Sequence, residues 1–315
     1  MTRQIAGRRH RTLGGLVRRQ LRRSRYKYIS WSGLGLILWK VLRIVIIMGL
    51  CFVIIYPFFA KFMNTFKSVN DLYNTNLKYI PQHFTMEYFD KIIKDMDYWK
   101  TAANTTVFCL TTSLLQTLMS ALVAYGFARF QFKGRKLLFG LVILTLIVPP
   151  QTMIIPLYTR FRFFLGSINL INTVYPMIIL SATCLAIKNG LYIFMFRQFF
   201  RNLPKELEEA AYIDGNNTFQ TFFKIIMPTS MTMLATVFVL SFCWQWTDTV
   251  YSSLFMSNLP LMVNRAGAVY DYMIPIVDAM LKNSSAVIAV LPLAVLYIFA
   301  QNLFVQGIER SGITG

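Results

Sequence analysis

Only 13 acidic residues occur among the 315 of this chain, and four of them, Glu206, Glu208, Glu209 and Asp214, stand in one short stretch. Clustered carboxylates can act as acid and base or ligate a metal, but both uses need suitable partner groups brought to them. Here His10 and His83 are isolated in the sequence, and Cys51, Cys109, Cys184 and Cys243 each lie inside an apolar run without metal-ligand spacing. The cysteines read as small buried hydrophobes. No G-x-x-x-x-G-K-[ST] stretch offers a phosphate cradle, so the chain is not expected to hydrolyse ATP itself. No catalytic residue, metal or bound cofactor is expected. What remains for the acids is recognition: a carboxylate on a rigid helix can make a charge-assisted hydrogen bond to a partner and transmit force through it.

The residues around these acids predict such a helix. Pro204 suits a first helical turn, where its missing N–H costs nothing. Glu206, Glu208 and Glu209 then lie near the positive end of the helix dipole. Leu207, Ala210 and Ala211 share a face at i, i+3, i+4 spacing. Asp214-Gly215 ends the helix, with Gly215 fitted to a left-handed cap. A second short helix over Thr218–Ile226 would run into Pro228.

The chain is 56% hydrophobic and 14% charged, where soluble domains carry roughly 25% charged residues. Repeated apolar runs of membrane length predict an all-α polytopic membrane protein, because backbone polar groups in hydrocarbon must be satisfied within the segment. Six spans are expected: Val41–Ala60, Ala103–Ala128, Leu137–Leu157, Val174–Phe196, Pro228–Leu254 and Ala286–Phe304, forming a transmembrane domain over residues 41–308. Pro149, Pro150, Pro156, Pro176 and Pro292 interrupt or flank them, as simple kinks or as breaks lining a pathway.

The net charge of +19 does not point to nucleic acid. Residues 1–40 carry many arginines and lysines and no acid, the usual signal that holds a terminus in the cytoplasm, and such a tail can sit on anionic lipid. Leu13, Leu16, Val17 and Leu21 among arginines suit either an interfacial amphipathic helix or a disordered tail. The turn from Arg129 to Lys136 is basic without acids, hence cytoplasmic. Alternation then puts the 197–227 segment, with its acidic helix between the fourth and fifth spans, and the 309–315 tail on the same side.

Glu209-Ala-Ala-x-x-Asp214-Gly215, followed by Phe219-Gln220, Phe222, Lys224-Ile225 and Pro228, resembles the EAA loop of ATP-binding-cassette importer permeases. The lead-in from Arg197 to Leu207, the Ala124–Lys136 stretch, Val148-Pro-Pro-Gln151 and the Tyr79–Tyr88 stretch are similar to the carbohydrate-uptake, maltose-type branch. The resemblance covers about residues 40–308. It implies a coupling helix that docks into a cleft on a cytoplasmic ATPase subunit, through Glu206, Glu209, Ala210, Ala211, Asp214, Gly215 and Asn216. It further implies a second permease subunit, two ATP-binding subunits that use ATP and Mg, an extracellular solute-binding protein and a bacterial cytoplasmic-membrane location. Asn216 stands where the family usually has alanine, and Trp246-Thr-Asp248 where it usually has Trp-Asn-Asp.

A carbohydrate path would want aromatic faces for stacking and amides or carboxylates for hydroxyls. Trp244, Gln245, Trp246, Asp248 and Tyr251 on the fifth span, and Asn104, Gln116 and Tyr125 on the second, are the candidates. Asp248 is either deep and functional or at the outer interface with Trp246 as an anchor. A permease of the same superfamily for a non-sugar solute is one alternative. An ion-coupled secondary transporter is another, and it would need a relay of ionisable residues where the spans offer only Arg43, Lys188 and Asp248.

Overall fold

The computed structural model describes residues 31–310 except positions 75, 78, 79 and 270–272. The amphipathic segment expected within residues 13–21 lies outside the described residues. The chain divides into one unit up to Ala60 and a second from Lys61 onward. The first consists, among the described residues, of most of α1 (Trp31–Asn64). Its apolar side chains from Leu36 to Phe59 are almost all exposed, Cys51 included. A bare apolar helix of this length is what lipid solvates; Cys51 is therefore not buried in protein.

The second unit begins with the short helices α2 (Val69–Tyr73) and α3 (Glu87–Asp95). They lie in a loop pinned by stacked Phe66, Phe84 and Phe89. Buried Asp71 accepts hydrogen bonds from the backbone N–H groups of Gln82 (2.8 Å) and His83 (2.7 Å), and its Oδ1 lies 2.9 Å from His83 Nδ1. His83, isolated in the sequence, is thus paired in space. That side-chain hydrogen bond, with the backbone bond from the same residue, holds the Asp71 carboxyl below the usual carboxylate range, against the opposing effect of burial.

The centre of the unit is α4 (Tyr98–Arg129), which packs against α8 (Asn189–Asn202) and α12 (Met231–Thr247), with α12 in turn against α15 (Pro275–Arg310). The threonines that make α4 unusually polar for a span turn their hydroxyls onto the helix itself. Thr105, Thr112 and Thr117 each donate to the carbonyl four residues back, at 2.7–2.8 Å. Their polarity is satisfied locally, and buried Ser113, Ser120, Ala121 and Ala124 leave room for close helix packing.

Three of the expected spans are not continuous helices. The third bends by 100° where Pro149-Pro150 ends α5 (Arg135–Ile147) and a 3₁₀ turn (Pro150–Met153) leads into α6 (Ile154–Arg162). The fourth splits into α7 (Tyr175–Ala182) and α8, with Cys184 (φ 59°) and Lys188 (φ 70°) in left-handed conformation between them. The Asn189-Gly190 pair, a turn dipeptide inside the apolar run, was the sign of that break. The helices α9 (Glu206–Ile213) and α10 (Thr218–Thr221) precede a π-helical turn (Phe222–Ile226) and the short α11 (Met227–Thr229). From there the chain turns by 81° into α12, then continues as α13 (Val250–Met256) and α14 (Met262–Ala266). Among the described residues three helices, in α1, α4 and α15, are long and apolar enough to cross a membrane, and up to five spans result if each bent pair is one.

Pro292 inside α15 cannot donate to the carbonyl of Ile288. Two side chains from other helices answer at this point: Tyr98 Oη donates to Ile288 O (3.4 Å) and Trp246 Nε1 to Ala289 O (3.0 Å). Pro292 therefore sits inside a continuous helix at a point where neighbouring side chains bond the carbonyls it leaves. On the other side of the bundle Gly190 lets α8 touch α5. A Cβ there would sit 2.9 Å from Val142 O and collide with Thr145 Oγ1.

Gly190→Leu is accordingly expected to force α5 and α8 apart and destabilise the protein by about 1–3 kcal/mol, the usual range for overpacking, read as a lower thermal midpoint in detergent. A second expectation concerns pH. With the Asp71 carboxyl lowered in the fold, its contribution is complete above the unfolded carboxylate pKa of about 3.9 and is lost as pH falls through the lower folded value. Hydrogen exchange in the 66–85 loop should therefore accelerate below about pH 4 beyond its intrinsic pH trend, and Asp71→Asn should remove that dependence.

Candidate functional site

The acidic helix α9 is amphipathic in an informative way. Glu206, Glu209, Ala210, Tyr212, Ile213 and Asp214 are exposed, whereas Glu208 and Ala211 are buried. The two alanines expected to share a docking face divide their work: Ala211 packs inward and Ala210 faces out. Ile213 is 87% exposed, and Phe219 and Phe223 stand out beyond it. Such a cluster of bare apolar side chains beside carboxylates marks a contact surface.

The helix is held rigidly. Gly215 has φ 80°, its N–H donates to Tyr212 O (3.1 Å), and the Asn216 N–H donates to Ala211 O (3.0 Å). This pair of bonds is a Schellman cap, which needs the left-handed residue that glycine supplies. Asn217 then opens α10 by a capping box: its Oδ1 accepts from the Gln220 N–H, and Gln220 Oε1 accepts from the Asn217 N–H, both at 2.9 Å. Asn216 and Asn217 are turn and cap residues, and the departure from alanine at Asn216 leaves the cap geometry intact.

Underneath, Arg129 at the end of α4 pairs with Glu208 (Nε to Oε1, 2.6 Å) and donates from Nη2 to Leu203 O at 2.9 Å. Both side chains of the pair are about nine-tenths buried. Arg129 sits at the negative end of the α4 dipole, which favours its charge. Tyr125, a candidate for the cargo path, belongs here: it is buried against Phe130, Phe200 and Phe222 beneath α9.

The other candidates fall into three places. Gln116 is fully buried and clasps three elements. Its Nε2 donates to Asn189 Oδ1 (2.8 Å) and Ile187 O (3.2 Å), while its Oε1 accepts from Ser241 Oγ and from Gln245 Nε2 (3.0 Å). Asn189 continues the network to Ser120 Oγ at 2.9 Å. Asn104 lies apart, lining a groove of about 320 Å³ with Leu259 and Leu261. Trp244, Gln245 and Asp248 come together with Gln151, Lys188 and Thr247 around a cavity of about 220 Å³.

Asp248 and Trp246 have structural partners. Asp248 caps α13, with Oδ1 accepting from the Val250 (3.1 Å) and Tyr251 (3.3 Å) N–H groups and Oδ2 from that of Ser252 (3.2 Å); a carboxylate at a helix start is stabilised by the dipole. Trp246 is 3% exposed, so it is a core residue bonded to α15 and not an interfacial anchor. Tyr251 is buried edge-on against Phe255, with ring centroids 5.7 Å apart.

Sequence reasoning missed Asn189, Lys188 as a cavity residue, and the Arg129–Glu208 pair. Lys188 holds its ammonium 4.5 Å from the Trp244 ring centroid. Arg129 had been accounted for by topology and Glu208 by the acidic cluster, and nothing in the sequence joins two residues so far apart. Among the described residues no group of histidines, cysteines and acids could hold a metal ion.

Residues 116–310 match the family of binding-protein-dependent transport system inner membrane components. The chain is 27% identical to the inner membrane ABC transporter permease protein YcjP of Escherichia coli, over 83% of this chain and 91% of the relative. It is 28% identical to the arabinooligosaccharides transport system permease protein AraQ of Bacillus subtilis, over 85% and 93%. In three dimensions it resembles a chain of a bacterial ABC transporter involved in the import of the acidic polysaccharide alginate, with a TM-score of 0.71 at 18% identity, covering 87% of this chain and 98% of that one. That likeness establishes the permease fold.

Removing one member of a buried ion pair leaves the other charge uncompensated. Arg129→Ala or Glu208→Ala should each cost about 3–5 kcal/mol, while the joint replacement Arg129→Met with Glu208→Leu should recover most of it. Thermal unfolding of the four purified proteins checks the cycle.

Proposed function

The chain belongs to the family of binding-protein-dependent transport system inner membrane components, and from that premise we propose that it is the permease subunit of an ATP-driven importer that moves a carbohydrate, an oligosaccharide in particular, across the bacterial cytoplasmic membrane by alternating access. It is an integral membrane protein of several apolar helices and a transport component, not an enzyme. In this reading six spans cross the bilayer, the broken α7–α8 segment and the two bent pairs each counting as one, with both termini in the cytoplasm. The basic tail rests on anionic lipid. A second permease subunit completes the pathway, an extracellular binding protein delivers cargo, and two cytoplasmic subunits hydrolyse ATP with Mg. The cargo class is supported by the names of the relatives, which include arabinooligosaccharides and alginate.

The observation that carries the proposal is the capped helix α9. It presents Glu206, Glu209, Ala210 and Ile213 outward while Glu208 and Ala211 fix it to the bundle. A short rigid helix with a bare isoleucine at its tip and carboxylates along one side suits insertion into a cleft with a basic rim. Glu209 makes the charge-assisted contact, Ile213 fills the apolar floor, and the Schellman cap at Gly215 keeps the two in register. Trp244, Gln245 and Asp248, gathered at one cavity, are the part of the cargo path that this chain supplies.

The test is Glu209→Lys. Reversing this exposed charge should leave folding intact and reduce both recovery of the ATPase subunit with the purified permease and cargo uptake by about tenfold or more, the worth of a charge-assisted hydrogen bond. Normal uptake with normal ATPase recovery would end the coupling assignment. Ile213→Asp should act in the same direction.

A further inference from the structure

Lys188 is a cation within an expected membrane span, placed in left-handed backbone conformation at the break between α7 and α8. Ionised side chains at such places face one another, a backbone carbonyl or a water-filled cavity, and strained backbone concentrates where a site requires it. Among the described residues no carboxylate forms an ion pair with Lys188. Its ammonium rests instead on the Trp244 ring, an interaction that leaves its N–H donors available. The N-terminus of α8 begins at the next residue, and its positive dipole end, though unfavourable to the ammonium itself, adds to its attraction for an anion.

The same cavity contains an unanswered acceptor. Gln245 is 7% exposed, its Nε2 is engaged by Gln116, and its buried Oε1 has no partner. Gln245 is one of the residues that line the cavity, and its unpartnered Oε1 calls for an O–H or N–H donor. Trp244, about half exposed, adds a flat apolar face. The one carboxylate in the wall, Asp248, already receives three backbone N–H groups of α13, which offsets its repulsion of a second anion.

We infer that this cavity is a cargo subsite selective for a polyol bearing an anionic substituent, a carboxylate or a phosphate, and that Lys188 sets that preference. The anionic group takes the Lys188 ammonium, a hydroxyl donates to Gln245 Oε1, and the ring or chain of the polyol lies on Trp244. The inference rests on the importer reading above and adds the chemical class of the cargo.

The experiment uses the complete importer in proteoliposomes with its binding protein, and measures ATP-dependent uptake of oligogalacturonate, glycerol 3-phosphate and an uncharged xylo-oligosaccharide. Wild type should import one of the anionic probes, and which one separates carboxylate from phosphate. Lys188→Gln should lower the ratio of anionic to uncharged uptake by about tenfold or more, as loss of a charge-assisted contact does, whereas Lys188→Arg should keep the ratio. Gln245→Glu, which puts a carboxylate into the wall without touching Lys188, should lower the same ratio should Lys188→Gln fail to assemble. An unchanged ratio in Lys188→Gln or Gln245→Glu, an equal fall for all cargoes, or import of the uncharged probe alone overturns the subsite and leaves the importer standing. Failure to import any probe overturns both.

Discussion

The Gln116 amide is the interaction on which the rest of the bundle depends. Helices surrounded by hydrocarbon gain little from burying apolar surface against one another, so their register must come from close packing and from polar contacts. Gln116 supplies the second. One side chain on α4 reaches the α7–α8 break through Ile187 O, α8 through Asn189, and α12 through Ser241 and Gln245. Because donors and acceptors are both used, the amide fixes direction as well as proximity. The break that places Lys188 and the helix that carries Trp244 are thereby set relative to one another.

A second constraint follows from the same scarcity of water. At three places where a helix ends or is interrupted, nearby backbone groups are met by something specific. At Pro292 these are Tyr98 and Trp246; after α12 it is the Asp248 carboxylate; after α9 it is the Schellman cap. Several residues singled out as polar or aromatic oddities turn out to be these partners. Trp246 is such a partner, its N–H directed at α15, whereas the Gln245 amide bonds the Gln116 side chain and not the backbone.

The helical character, the apolar segments and the short acidic helix with its Gly215 cap were legible because each depends on neighbours a few residues apart. Turn chemistry at Gly215 and the run of glutamates are local signals that the structure obeys, while α9 starts only at Glu206 and leaves Pro204 ahead of its first turn. The breaks were half legible. Pro149-Pro150 announced the 100° bend, while Asn189-Gly190 was overridden by the hydropathy of its surroundings. The pairings were not legible. Arg129 with Glu208, Asp71 with His83, and Gln116 with Asn189 join residues whose types fit equally well with many others, and only the folded packing, of α4 on α9, within the 66–85 loop and of α4 on α8 respectively, selects them. For the same reason the cargo-path candidates, chosen by residue type, scattered: Tyr125 to the aromatic cluster beneath α9, Asn104 to a separate groove, and Trp244, Gln245 and Asp248 to one cavity.

The fastening of α9 at two ends has a mechanical consequence. Its underside is tied to the tip of α4 by Arg129, and its far end runs through the capping box and the π-helical turn into an 81° elbow that begins α12. A load on Ile213 therefore has two paths into the protein. Along the first it meets the axis of α4 end-on and pushes. Along the second it reaches the 81° elbow and then α12, which carries Ser241, Trp244 and Gln245. Both routes lead to the Gln116 clasp, which ties α4 to α12 and to the α7–α8 break.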